Sequence, residues 1–184
     1  FRKAMLDLYR ALEAASEVLL QSLSLYLFQP VDGFTQLTAN GNTILRALYY
    51  PPLSHQGAHP GSVRAAAHED INFITLLITS SSAGLQLLTR SGDWIDVNAK
   101  AGELVADSGD MLSRVTNGLI PSTTHRVINP DNRNTARYSI PFFVHPRPNS
   151  VLSVLDNCRG EGFPPPPDDI TGMDFLNERL ENEE

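Results

Sequence analysis

Arg64-Ala65-Ala66-Ala67-His68-Glu69-Asp70-Ile71-Asn72-Phe73-Ile74-Thr75-Leu76-Leu77-Ile78 is the stretch on which the reading of the chain turns. It opens on small residues, presents His68-Glu69-Asp70, and enters an apolar, β-branched run with the composition of a strand. In extended backbone, side chains i and i+2 leave the same face. An extended backbone at His68 therefore predicts that His68 and Asp70 point into one space, with Glu69 on the opposite side. An imidazole beside a carboxylate is a candidate metal-binding pair. By itself, His-x-Asp also arises by chance, and a lone His is more often structural.

Downstream, short strands alternate with turn signals. Leu85–Thr89 and Trp94–Val97 flank the turn Arg90-Ser91-Gly92-Asp93 and predict a hairpin. Leu104–Asp107, Met111–Val115, His125–Ile128 and Ala136–Val144 follow as further short strands. They are separated by turns at Ser108-Gly109-Asp110, Thr116-Asn117-Gly118 and Asn129–Asn132, and a turn at Ser80–Gly84 precedes the hairpin. Upstream, Thr43–Tyr50 reads as a strand stopped by Pro51-Pro52. The segment between Leu53 and Val63, with His55 and His59, reads as an irregular loop whose histidines are not ligands. About eight short strands with almost no helical pattern between them predict a mainly β fold, a double-stranded β-helix or jelly roll.

The ends of the chain are different. Apolar groups at Phe1, Met5, Leu8, Leu12, Ala15, Leu19 and Leu23 predict an N-terminal packing helix over residues 1 to about 28, closed by Pro30 and Asp32-Gly33. Phe163-Pro164-Pro165-Pro166-Pro167 is a stiff polyproline segment, Thr171–Leu180 a short C-terminal helix, and 181–184 a frayed tail. Residues 1–184 are expected to form a single domain with its core at about 43–155. The chain opens at Phe1 inside a helical pattern, which predicts that it belongs to a longer protein.

Composition narrows the partners. The 184 residues are 41% hydrophobic and 19% charged, as in soluble globular proteins. Fourteen Lys and Arg against 21 Asp and Glu give a formal net charge of −7 with no basic stripe, which argues against nucleic acid and anionic membranes. No run approaches the roughly 20 apolar residues of a membrane span. The single cysteine, Cys158, excludes an intrachain disulfide framework and fits a reducing, cytoplasmic setting. It also lies outside any metal-ligand spacing, against a thiolate-rich zinc site. Neither a Gly-rich phosphate loop nor a nucleophile-elbow signature is present.

The later segments complete the pair. His125 is far enough along the chain to return across a barrel toward His68 and Asp70. Two imidazoles and a carboxylate on one face of Fe(II) leave positions open for a bidentate 2-oxo acid and for dioxygen. On the strand that follows, Arg137 and Ser139 share a face. A guanidinium beside a hydroxyl is a receptor for a carboxylate. The alternative is an ordinary surface ion pair, but Arg137 opens an otherwise apolar strand, where a buried guanidinium needs an anion. Phe143, on the same face, is either an apolar wall of that site or plain core.

From about Leu45 to Val154 the chain resembles the isopenicillin N synthase-like branch of the Fe(II)/2-oxoglutarate-dependent dioxygenases. The resemblance rests on Leu45-Arg46 through Tyr49-Tyr50-Pro51-Pro52, His68-Glu69-Asp70, Gly84-Leu85-Gln86-Leu87 and Gly92-Asp93-Trp94-Ile95-Asp96-Val97. Thr116-Asn117-Gly118, His125-Arg126-Val127 and Arg137-Tyr138-Ser139-Ile140-Pro141-Phe142-Phe143 continue it in order and spacing. It implies iron at His68, Asp70 and His125, and a 2-oxoglutarate carboxylate at Arg137 and Ser139. Tyr50 matches a family tyrosine that also reaches the co-substrate, whereas the family asparagine two residues earlier is Leu48 here. The implied activity is hydroxylation or desaturation of a small organic molecule with O2, releasing succinate and CO2. An oxidase of the same fold that uses O2 without an oxo acid is the near alternative. A non-catalytic jelly roll with a structural metal is the distant one, since such a role requires neither open positions nor an anion receptor.

Overall fold

The computed structural model describes residues 1–52, 63–78, 83–129 and 135–181. The loop with His55 and His59, most of the turns expected at 80–84 and 129–132, and the tail at 182–184 lie outside the described residues. Four elements open the chain: helix α1 (Arg2–Tyr26), helix α2 (Gly33–Thr38) and the short strands β1 (Ile44–Leu45) and β2 (Leu48–Tyr50). Strands β3 (Ala65–His68), β4 (Ile74–Ile78), β5 (Leu85–Leu88), β6 (Trp94–Asp96) and β7 (Leu104–Ser108) follow. Helix α3 (Asp110–Val115), strands β8 (His125–Val127) and β9 (Arg137–Val144), and helix α4 (Gly172–Glu181) complete the order.

The strands form two antiparallel sheets, a jelly roll. One runs β1-β9-β4-β7, with β2 also pairing β9, and the other runs β3-β8-β5-β6. Where β4 pairs with the second half of β9 the first sheet is covered on both faces, and its side-chain alternation sorts residues by chemistry. On β4, Ile74 and Leu76 join the hydrophobic core, while Thr75 and Leu77 line the space between the sheets. On β9, Phe142 and Val144 face the core, whereas Arg137, Ser139, Pro141 and Phe143 face the inter-sheet space. Helices α1, α2, α3 and α4 cover the core face, with Leu20, Phe34, Met111 and Phe175 packed there.

Several expectations change. Met111–Val115 is helical, not a strand. Its apolar residues Met111, Leu112 and Val115 are all buried at i, i+1 and i+4, a helical face, and Asp110 starts the helix where its dipole favours an acid. The stripe of α1 is also rotated from the one expected. The buried positions are Leu12, Ser16, Leu20 and Ser24, and Leu19 is exposed. Small serines permit close approach of α2, and Ser24 Oγ accepts the N–H of Phe34 at 3.2 Å. Helix α2 itself was hidden by the breaking residues Pro30 and Gly33. The strand expected at Thr43–Tyr50 is divided at Arg46-Ala47 into β1 and β2.

The turn residues behave as their chemistry requires. Asn117 and Gly118 adopt φ of 52° and 79°, and the Gly118 N–H closes α3 on the Ser113 carbonyl at 2.8 Å. At α4, Thr171 Oγ1 accepts the Asp174 N–H and donates to its carboxylate, a reciprocal N-terminal cap.

Candidate active site

The pairing of β3 with β8 places His68 opposite His125, with ring centroids 4.3 Å apart. β3 ends at His68, so Asp70 lies in the turn toward β4 and not on a continuous strand. The turn still brings its carboxylate to the histidines: one ligand atom from each of His68, Asp70 and His125 lies within 4.8 Å of the others. Glu69 points away, as expected, and accepts Thr124 Oγ1 at 2.7 Å.

Local hydrogen bonds leave the right atoms free. His68 Nδ1 donates to the Ala66 carbonyl at 2.8 Å and His125 Nδ1 to the Thr123 carbonyl at 3.0 Å. A carbonyl only accepts, so each proton sits on Nδ1 and each Nε2 presents a lone pair to the common centre. Asp70 Oδ2 accepts the Thr75 hydroxyl at 2.5 Å, and that hydroxyl accepts Asn72 Nδ2 at 2.8 Å. Asp70 Oδ1, 3.9 Å from His125 Nε2, is left to serve as a ligand. Two imidazole nitrogens and one carboxylate oxygen suit a divalent metal with positions left open.

Arg137 is 1% exposed, and among the described residues its Nε and Nη1 have no hydrogen-bond partner. Buried guanidinium nitrogens of this kind are suited to pair with a carboxylate. Ser139, also buried, stands beside Arg137 on β9. The register β2–β9 sets Tyr50 across from Arg137, with the guanidinium 5.4 Å from the Tyr50 ring centroid. Burial holds the Arg137 pKa below its ordinary value, which Tyr50 opposes and Arg64 reinforces. Its guanidinium still carries its charge at neutral pH.

These groups line one cavity of about 240 Å³ between the sheets, with Leu77, Leu85, Val127 and Phe143 as its apolar wall. Phe143 thus belongs to the cavity, and the Arg46 guanidinium lies 5.3 Å from its ring centroid. A larger groove of about 450 Å³ between α1 and β7 gathers no converging ligands, so the chemistry selects the smaller cavity.

One residue of the cavity was missed in the sequence. Asp107, opposite Thr75 on β7, has its Oδ2 3.9 Å from His125 Nδ1. Its pKa is pushed up to about 7, first by burial and then by the negative charge of Asp70; His68 and hydrogen bonds from Thr75 oppose the shift. The clue was alternation: in Leu104-Val105-Ala106-Asp107, an inward Val105 entails an inward Asp107. Cys158 is fully buried away from the triad, and burial pushes its thiol up.

Residues 41–146 match the family model of the 2OG-Fe(II) oxygenase superfamily. The chain is 35% identical over 177 residues to the 2-oxoglutarate-Fe(II) type oxidoreductase hxnY of Emericella nidulans, covering 96% of this chain and 50% of that protein. It is 34% identical over 159 residues to the 2-oxoglutarate-dependent dioxygenase citB of Monascus ruber, covering 85% and 48%. A full-length Neurospora crassa protein, solved in complex with alpha-KG and thymine, superposes with a TM-score of 0.90 at 28% identity. That match covers 100% of this chain and 57% of the other. The chain thus spans about half the length of the curated relatives it matches. With a jelly roll, three converging ligands and a matching family model over its centre, the chain belongs to the 2OG-Fe(II) oxygenase superfamily.

Proposed function

We propose that the protein is an Fe(II)- and 2-oxoglutarate-dependent dioxygenase acting on a small organic molecule. The observation that carries this reading is the buried guanidinium of Arg137, whose Nε and Nη1 have no hydrogen-bond partner among the described residues, in the same cavity as the three convergent ligand atoms. His68, Asp70 and His125 hold the metal. Arg137 and Ser139 receive the distal carboxylate of 2-oxoglutarate, with Tyr50 alongside. Fe(II) bound there supplies the oxidation of a substrate C–H bond by O2, with 2-oxoglutarate decarboxylated to succinate and CO2.

The protein's own contribution is orientation and exclusion of water. The carbonyls of Ala66 and Thr123 fix both imidazoles, and Thr75 fixes the carboxylate. The apolar wall that includes Leu77 and Phe143 keeps the reacting face dry. A reducing, cytoplasmic setting suits both a free thiol and a ferrous site.

Anaerobic Fe(II) titration, with and without 2-oxoglutarate, tests the assignment. The expected result is a weak visible charge-transfer band that requires both components, and succinate on admission of O2. Iron binding with no such band, and O2 uptake independent of 2-oxoglutarate, would assign the oxidase alternative.

A further inference from the structure

The turn that carries Asp70 is held from behind by the start of α3. A helix start leaves backbone N–H groups without intrahelical partners. Here they go to the ligand turn: Asp110 N–H donates to the Asp70 carbonyl at 2.8 Å, and Met111 N–H to the carbonyls of Ile71 and Asn72 at 3.2 and 3.1 Å. Gly109 N–H donates to the Phe73 carbonyl at 3.0 Å. A side chain at Gly109 has no room, because its Cβ would lie 2.3 Å from the Asn72 carbonyl oxygen and 2.7 Å from that of Asp70. The ligand turn and the start of α3 are therefore one body, and Asp70 moves only if α3 moves.

Helix α3 is in turn gripped by the C-terminal segment. Asp110 is 8% exposed, and its Oδ2 lies 2.7 Å from Arg179 Nη2 of α4. The contact is a close ion pair and not an aligned hydrogen bond, so its strength is mainly Coulombic. Arg114 reinforces it, donating to the Asp168 carbonyl with its guanidinium 5.3 Å from the Phe175 ring centroid. Only the Asp110 end of the pair is buried, the Arg179 side chain being 38% exposed, so removing Arg179 leaves a buried carboxylate without its counter-charge and drives it toward solvent. For Asp110, that displacement would pull on the backbone N–H that holds Asp70.

We propose that Arg179, acting through Asp110, is a positioning residue for the Asp70 carboxylate, so that the C-terminal helix sets the geometry of the metal site. This rests on the metal reading of the triad. The 2-oxoglutarate receptor is on β9 and outside this linkage.

The test is Co(II) titration of the metal-free full chain, comparing the parent with Arg179→Met, Arg179→Lys and the double variant Asp110→Asn with Arg179→Met. Arg179→Met is expected to weaken Co(II) binding about ten-fold, within the range known for outer-shell partners. Arg179→Lys should recover most of the loss. The double variant should bind more tightly than Arg179→Met alone, because no unpaired charge remains. Leu20→Ala, a core change in α1 that removes none of these hydrogen bonds and neither partner of the ion pair, controls for general destabilisation and should leave the Co(II) constant unaltered. The proposal is overturned if Arg179→Met binds Co(II) within about two-fold of the parent. It is equally overturned if Leu20→Ala weakens binding as much at a matched loss of thermal midpoint. A parent that binds no Co(II) would instead overturn the metal reading of the triad, which separates the two failures.

Discussion

His68 and His125 are direct cross-strand partners, and each donates its Nδ1 proton to the carbonyl two residues before it in sequence. That shared local geometry aims both Nε2 atoms at Asp70. Replacing Asp70 with Ala is expected to abolish tight Fe(II) binding, because no fourth residue joins the cluster among the described residues. Anaerobic equilibrium dialysis measures it. Full iron stoichiometry in Asp70→Ala would remove the carboxylate from the site.

Arg137→Ala should raise the 2-oxoglutarate dissociation constant by roughly ten- to a hundred-fold. Charge-assisted hydrogen bonds contribute about 1.5–3 kcal/mol, and 1.4 kcal/mol is a factor of ten. Metal affinity should stay put, since Arg137 contributes no ligand atom. Isothermal titration on metal-loaded protein reads both quantities, and an unmoved 2-oxoglutarate constant would favour the oxidase alternative.

Asp107 should make the metal-free protein less stable as pH rises. Its carboxyl has a folded pKa of about 7 against an ordinary 3.8, so between those values the folded state binds more protons than the unfolded one. Stability from this group is then full below about 4 and lost as pH climbs through about 7. Asp107→Asn removes the ionisation and should flatten that slope. Urea midpoints at pH 5 and 8 for both proteins decide the matter; parallel pH dependences would contradict it.

Phe142→Ala should cost about 3–5 kcal/mol by opening a cavity where no side chain can relax into it. Phe142 is fully buried on β9 and meets the Tyr9 ring edge-on at 5.1 Å between centroids. The measurement is the urea unfolding midpoint. A loss below about 1 kcal/mol would mean that α1 collapses readily onto the sheet.

Gly109→Ala should weaken metal binding more than it lowers stability. The backbone at Gly109 is extended, at φ −106°, so Ala is conformationally free to occupy it. Its Cβ nonetheless meets the carbonyls of Asn72 and Asp70, and the ligand turn must shift. Co(II) titration beside a thermal melt separates the two effects; unchanged Co(II) affinity would show that the turn yields without moving Asp70.

The sequence alone determined the jelly-roll strands, because alternating side chains and turn residues are local signals, and it brought His68, Asp70 and His125 together as chemistry. It also placed Arg137 and Ser139 on one strand face, since period two is a property of any extended chain. Only the tertiary structure decided that Met111–Val115 is helical, as a five-residue apolar run suits a buried strand and a buried helix equally until a core surrounds it. It alone turned α1 onto Leu12, Ser16, Leu20 and Ser24, because the buried stripe is chosen by the partner helix and not by hydrophobicity. The approach of Asp107 to His125 and the hold of Arg179 on Asp110 join residues from separate elements. Such pairings are energies between distant parts of the chain, and no local window of sequence contains them.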